Sequence, residues 1–329
     1  MPTGAKGGGV CFCWLLVLPL LVCSYSLSLG EEKPYPNKPL NIIVPYAPGS
    51  APDLTSRLWS DKISEFMGQP LISVHKPGGG GSLAAAFAAK AKPDGYTVLV
   101  GSVSPLIISP IVKKLDYTLD DFIVLSTISK APLWLALKTE ARWKRLQDFV
   151  TEAKQSPGKF QVATFGKLSA GDFILELLNK GAGIKLVNLP FKGSSEALTA
   201  LLGGHADAAI VAGAGGMVEA GTVRILAVAE DHRLEGMPDV PTFKELGYPI
   251  VIPGIYCFCF PRGTPQEVVG RFSDGQKKAW EKYGKEIKTS LRKVEQWTDF
   301  NTPEETRKTF HEVDRVIRKM AQELGALAK

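Results

Sequence analysis

Asn41-Ile-Ile-Val-Pro-Tyr46, followed by Ala47-Pro-Gly-Ser-Ala-Pro-Asp53, is the stretch that decides the fold. The first half is a short β-branched run of the kind that fits a pleated, buried strand. The second half carries Pro and Gly, which break that strand. Residues 54–67 then place Leu54, Leu58, Ile63 and Phe66 near helical spacing. Strand, turn and helix recur immediately. Leu71-Ile-Ser-Val-His-Lys76 reads as a strand, Pro77-Gly-Gly-Gly-Gly81 as a turn, and Ser82 as the cap of an alanine-rich helix reaching Ala91. Pro93-Asp94-Gly95 turns the chain again into the strand Tyr96-Thr-Val-Leu-Val-Gly-Ser102. This alternation predicts a mainly parallel sheet with crossover helices.

The same rhythm restarts further along. An apolar strand covers 133–137, and a helix over 146–154 ends near Ser156-Pro157-Gly158. Strands follow at 160–165, 186–191, 206–212 and 224–229, with helices at 172–179 and 195–202 between them. After Gly254, Ile255-Tyr-Cys-Phe-Cys-Phe260 reads as a buried strand, and helices over 265–283, 285–293 and 303–327 close the chain. In the last of these Phe310, Val313, Ile317, Met320 and Leu324 form one stripe, read as core packing. The expected fold class is therefore α/β, with two Rossmann-like lobes. One lobe covers 36–132 and 253–329, and the other, 133–252, is inserted between those parts. Chain crossings near 129–133 and 251–256 make a hinge, and a cleft opens between the lobes. In such sheets ligands sit at the carboxyl ends of strands.

Composition limits what the protein can be. The chain has 329 residues, 45% hydrophobic and 22% charged, which excludes a disordered, coiled-coil or multi-span membrane chain. The net charge of +6 is small and dispersed, and argues against a nucleic-acid partner. Cys11-Phe-Cys-Trp-Leu-Leu-Val-Leu-Pro-Leu-Leu-Val22 is apolar, but about 18 Å of helix falls short of a bilayer core of about 30 Å. Residues 1–30 are read as a signal for export, cleaved before Glu31, so the mature chain is expected to be periplasmic or extracytoplasmic. An uncleaved anchor and a lipid on Cys23 are the alternatives. Cys257 and Cys259 then remain. They share a strand face about 6.6–7 Å apart, too far for an easy disulfide, and are read as small core residues.

Three Gly-rich turns carry the chemistry: Ala47-Pro-Gly-Ser-Ala-Pro-Asp53, residues 77–82, and residues 166–171. Each follows a strand and opens a helix, where unpaired N–H groups and the positive dipole end favour anions. Facing each other across a cleft, they would hold the two ends of an anion. No Walker or G-x-G-x-x-G spacing supports a nucleotide, and no G-x-S-x-G elbow supports a nucleophile. His75, His205, His232 and His311 are scattered without partners at recognisable spacing, and no Cys/His set offers a metal site. A binding protein without cofactor or metal, and not an enzyme, is the expected class.

The loops themselves carry a resemblance. Pro45-Tyr-Ala-Pro-Gly-Ser-Ala-Pro-Asp53 resembles the P-F-x-P-G-G-x-x-D loop of the substrate-binding proteins of tripartite tricarboxylate transporters, the Bug (TctC) family. Lys76-Pro-Gly-Gly-Gly-Gly81, Pro93-Asp-Gly-Tyr96, Val98-Leu-Val-Gly101, Pro190-Phe-Lys-Gly193, Leu201-Leu-Gly-Gly204 with Asp207, Ile225-Leu-Ala-Val228, Pro238-Asp-Val-Pro-Thr242 and Gly263-Thr-Pro265 follow in order. The resemblance covers residues 36–325. It implies a type II periplasmic-binding-protein fold that closes on a small carboxylate. Family ligands include di- and tricarboxylates, acidic amino acids and aromatic acids. It also implies that a monomeric receptor hands the ligand to a permease with one large and one small membrane subunit. A sensory receptor of the same fold is the alternative reading.

By that resemblance the ligand-binding residues are Tyr46, Gly49, Ser50, Ala51 and Asp53 in the first loop. Ser102 and Ser104 follow the third strand, and Thr164, Phe165, Gly166, Lys167 and Ser169 form the facing loop, with Asp207 beyond. Several residues depart from the family pattern. Ser50 replaces a glycine and adds a hydroxyl, while Pro52 removes an N–H. Phe165, Lys167 and Leu168 are bulkier than the family's small residues. Lys167 is read either as a partner for a ligand carboxylate or as a solvated loop lysine. Phe165 either floors an aromatic ligand or shrinks the pocket. Asp53 is read first as the cap of a helix starting at Leu54, and second as a ligand contact. Val211-Ala212-Gly213-Ala214 is apolar where the family often has acidic and amide groups, which points to a ligand less polar than citrate.

Overall fold

The computed structural model describes residues 34–328 apart from 214, together with 4 and 7–9. The export signal read over 1–30, with Cys23 and the cleavage point, lies outside the described residues, those four glycines aside. Residues 35 onward form one unit, and among the described residues no helix is long and apolar enough to cross a membrane.

That unit is built from two lobes, each around a five-stranded sheet. The first lobe opens with β1 (Leu40–Val44), α1 (Ala51–Met67), β2 (Leu71–His75), α2 (Ser82–Ala89), β3 (Thr97–Ser102), α3 (Ser109–Val112) and β4 (Phe122–Lys130). The second contains β5 (Leu133–Lys138), α4 (Leu146–Gln155), β6 (Gln161–Thr164), α5 (Ala170–Ala182), β7 (Val187–Pro190), α6 (Ser194–Leu202), β8 (Ala208–Ala212), α7 (Gly215–Glu219) and β9 (Val223–Val228). The chain then returns to the first sheet through β10 (Ile255–Pro261) and ends in α8 (Gln266–Arg292) and α9 (Pro303–Leu324).

The strand orders are β2-β1-β3-β10-β4 and β7-β6-β8-β5-β9. Both sheets are mixed, unlike the mainly parallel arrangement that strand–helix alternation predicts. β10 runs antiparallel to β3 and β4, and β5 runs antiparallel to β8 and β9. Each of these two strands enters its lobe directly from a crossing, without a helix to reverse its direction. β10 is buried along its whole length, which is why its sequence is continuously apolar. Cys257 and Cys259 are both buried free thiols with sulfurs 3.5 Å apart, closer than regular strand spacing gives because the register shifts between them.

Helix ends differ from the sequence expectation in two instructive places. α1 starts at Ala51, with Ser50 in extended conformation as its N-cap. Pro52 falls in the first turn, where a missing N–H leaves no helical bond unmade. α8 runs unbroken through Gly284, although the sequence suggested two helices. Phe272, Ala279, Ile287 and Leu291 keep one buried face along it, and Trp280 lies over the glycine. At the centre of the first lobe Trp59 of α1 stacks on Trp280 and Phe300, at 6.0 and 5.7 Å, and donates its indole N–H to Ile128 O at 2.8 Å. Phe310 and Ile317 of α9 are fully buried, as its apolar stripe predicted.

The crossings are laced together by backbone bonds. Ala131 N donates to Gly254 O at 2.7 Å, Ala229 N to Leu133 O at 2.9 Å, and Ile252 N to Ala229 O at 2.9 Å. A side chain at Gly254 would begin 1.8 Å from Ala131 O, so only glycine fits there. Glu230 follows directly. Burial pushes its carboxyl up to about 7, with Lys130 opposing and Asp231 adding to the rise.

Candidate functional site

The loop between β1 and α1 is held open by its own aspartate. Asp53, 2% exposed, accepts from Gly49 N at 2.9 Å through one carboxylate oxygen. The other oxygen meets Arg57 Nε at 2.9 Å and His75 Nε2 at 2.7 Å. Burial works against ionisation, but the Gly49 amide, Arg57 and His75 together hold the carboxyl below its ordinary range. Asp53 thus acts from the third helical position, not as the cap of a helix beginning at Leu54. Its oxygens are engaged inside the protein, and the N-cap is Ser50.

Four hydroxyls gather where the strands of the first lobe end. Tyr46 is buried and donates to Gly80 O at 3.1 Å. Burial raises its pKa. Ser104 Oγ crosses the cleft, accepting from Ala170 N of α5 at 2.9 Å. Ser50 Oγ and Ser102 Oγ are buried and have no hydrogen-bond partner among the described residues.

The facing loop between β6 and α5 is largely capped from within. Ser169 Oγ accepts from Asp172 N at 3.2 Å, and Asp172 Oδ2 accepts from Leu168 N at 2.8 Å. Thr164 is fully buried and donates to Asn188 Oδ1 at 2.8 Å. Phe165 sits edge-on to Tyr46, with ring centroids 5.8 Å apart, over the space left by Gly171. Its ring therefore fills the seam between the lobes. Lys167 points outward, its side chain 62% exposed and 3.6 Å from Asp172. Asp207 lies at the other end of its strands from Thr164, exchanging hydrogen bonds with the backbone of Gln161 at 2.8 and 2.9 Å. The structure thus gathers Tyr46, Ser50, Ser102, Ser104, Thr164, Phe165, Gly166 and Ser169 at the seam. Gly49 and Ala51 stand beside it, and Lys167 and Asp207 stand apart.

The lobes meet directly. Ala47 N donates to Lys192 O at 3.2 Å, Ser195 Oγ to Gly49 O at 3.0 Å, and Ser109 Oγ to Leu168 O at 3.0 Å. Gly80, with φ of 64°, lies so close to the facing loop that a Cβ there would sit 2.5 Å from Ser169 N. The second Gly-rich turn is therefore a surface of lobe contact. Between the N-terminal ends of α1 and α6 a cavity of about 220 Å³ remains, with Gly49 and Ala51 on one wall and Ser194 and Ser195 on the other. Gln296 closes its floor. Its carboxamide oxygen accepts from Ser129 Oγ at 2.7 Å and from Thr55 Oγ1, and its nitrogen donates to Ala51 O at 3.2 Å. Ser194, Ser195 and Gln296 escaped the sequence reading. The motif Pro190-Phe-Lys-Gly193 entered only as part of the family resemblance, and nothing in the sequence marked Gln296.

Comparison with known proteins places this geometry. Residues 55–311 match the sequence model of the tripartite tricarboxylate transporter family receptor. A UPF0065 protein of Bordetella bronchiseptica is 33% identical over 260 residues, covering 78% of this chain and 76% of the relative. A solved structure described as a periplasmic transporter superposes with a TM-score of 0.81 at 30% identity, over 88% of this chain and 97% of its own. MatC from Rhodopseudomonas palustris, solved with bound malate, gives a TM-score of 0.81 at 26% identity, over 87% of this chain and 99% of its own. The two α/β lobes are those of a periplasmic binding protein, and the chain belongs to the tripartite tricarboxylate transporter receptor family of solute-binding proteins.

Proposed function

We propose that this chain is an extracytoplasmic receptor that closes on a small organic acid and delivers it to a permease of one large and one small membrane subunit. The observation that carries the reading is the pair of buried, unpartnered hydroxyls, Ser50 Oγ and Ser102 Oγ, at the seam between the lobes. A buried polar atom left without a partner costs about 1–3 kcal/mol, so both hydroxyls gain from an acceptor-rich ligand. A carboxylate is such a ligand, and the N-termini of α1 and α6 beside it favour negative charge. The malate in the related MatC structure belongs to the same chemical class.

Thermal unfolding with a panel of di-, tri- and monocarboxylates tests the reading. A true ligand at one hundred times Kd adds about 2.7 kcal/mol of stability. A shift by sugars or cations with none by any carboxylate would refute it. Delivery is tested by uptake of the identified acid in cells with and without the receptor.

A further inference from the structure

The cavity between α1 and α6 has walls of distinct chemistry. Leu54 and Val294 come from the first lobe, and Leu198, Ala212 and Met217 from the second. None of these offers a polar side-chain atom. Among the described residues no carboxylate lines the cavity, so an ammonium placed there would lose its hydration without gaining a counter-charge. A hydroxyl on the ligand body beside these five residues would meet no side-chain partner. Gln296, the amide in the lining, already gives its oxygen to Ser129 and Thr55 and one of its two N–H groups to Ala51. One charged residue remains in the lining, Lys293, which follows the last turn of α8 and makes no ion pair among the described residues.

Resting on the carboxylate-receptor reading, we propose that this cavity selects diacids with a plain hydrocarbon body, and that Lys293 is the specificity residue that reads their second carboxylate. One acidic end sits near the N-termini of α1 and α6, which Ser195 and Gly49 tie together at 3.0 Å. The body lies against Met217, Leu198 and Val294, and the far end reaches Lys293. The cavity of about 220 Å³ leaves room for a short diacid. An ammonium facing an apolar wall, or an unpaired hydroxyl, weakens binding about tenfold or more.

An isosteric set separates these terms: glutarate, 2-hydroxyglutarate, glutamate and pentanoate, measured by calorimetry. Wild type should bind glutarate at least tenfold tighter than the other three. Lys293→Ala should bring glutarate close to pentanoate while leaving pentanoate itself unchanged, and Lys293→Arg should restore the difference. Ala212→Asp should improve glutamate relative to glutarate. Preference of the wild type for the hydroxy or amino acid, or an equal loss of glutarate and pentanoate in Lys293→Ala, overturns the proposal. Tight binding of citrate or malate with none of glutarate overturns it and leaves the receptor reading intact. Silence from every carboxylate overturns both.

Discussion

Asp53 shows how one side chain can prepare a site through contacts within the protein. Its three contacts fix the Gly49 amide, Arg57 and His75, so the loop before α1 is set before any solute arrives. Asp53→Ala should lower stability by about 1–3 kcal/mol, since it removes the hydrogen bonds of a buried carboxylate to Gly49, Arg57 and His75. The pH dependence has a definite sign. A carboxyl held below its unfolded value stabilises the fold above that value, about 3.9, and loses the contribution as pH falls through the folded value. The gap between wild type and variant in thermal melts should therefore be full at pH 7 and narrow in strong acid. Phe165 offers a second residue-scale test. Phe165→Ala should enlarge the seam and let bulkier acids bind, at a stability loss of about 3–5 kcal/mol. An unchanged ligand range would show that the ring does not limit the site. The sequence marked Asp53 and Phe165 as notable through their neighbours in the loop motifs. It did not reveal that Lys167 turns outward, because that depends on Asp172 one helical turn along offering a partner.

At the scale of elements, the turn at 79–81 and the crossing after β9 invite opposite experiments. Gly80 combines a positive φ with backbone contact to the opposite loop. Gly80→Ala should fold yet resist closure, weakening ligand affinity about tenfold or more by calorimetry. Full affinity would mean that the closed contact is dispensable. Glu230 is strained electrostatically, not sterically. Its folded carboxyl titrates at about 7 against 4.5 for the free group, so the unfolded chain ionises first and stability falls as pH rises between those values. Glu230→Gln should raise stability by about 1–3 kcal/mol at pH 8 and do nothing at pH 4, read from denaturant midpoints at the two pH values. Strands and most helices were legible because their apolar periodicity is local. The direction of β5 and β10 was not, because strand polarity depends on which side of the sheet the crossing enters. The continuity of α8 was hidden because a glycine weakens a helix, while the burial of Ile287 and Leu291 that carries α8 past Gly284 is a tertiary fact.

Across the whole molecule, polar stitches reinforce closure along a buried apolar cluster that both lobes share. Ser104 to Ala170, Ser195 to Gly49 and Ser109 to Leu168 join side chains of one lobe to the backbone of the other. Each contributes about 0.5–1.5 kcal/mol to the closed form, so Ser109→Ala should weaken ligand binding about 2–10-fold through a faster off-rate. Stopped-flow measurement of release checks this, and an unchanged off-rate would place closure under other contacts. The two-lobed plan was legible from the repeated strand–turn–helix rhythm. The stitches were not, because serines carry no periodic signal and their partners are backbone atoms brought close only by the completed fold.

The carboxamide of Gln296 has one more implication, for how the chain is made. It secures Ala51 and Thr55, which precede it by 245 and 241 residues. The start of α1 therefore gains this anchor only after almost the entire polypeptide has emerged. Such distant pairing carries a large loop-closure entropy and slows assembly. A chain released before this glutamine would build much of the second lobe yet leave α1 held by its local contacts alone. Competence to capture a solute is thus completed late in synthesis.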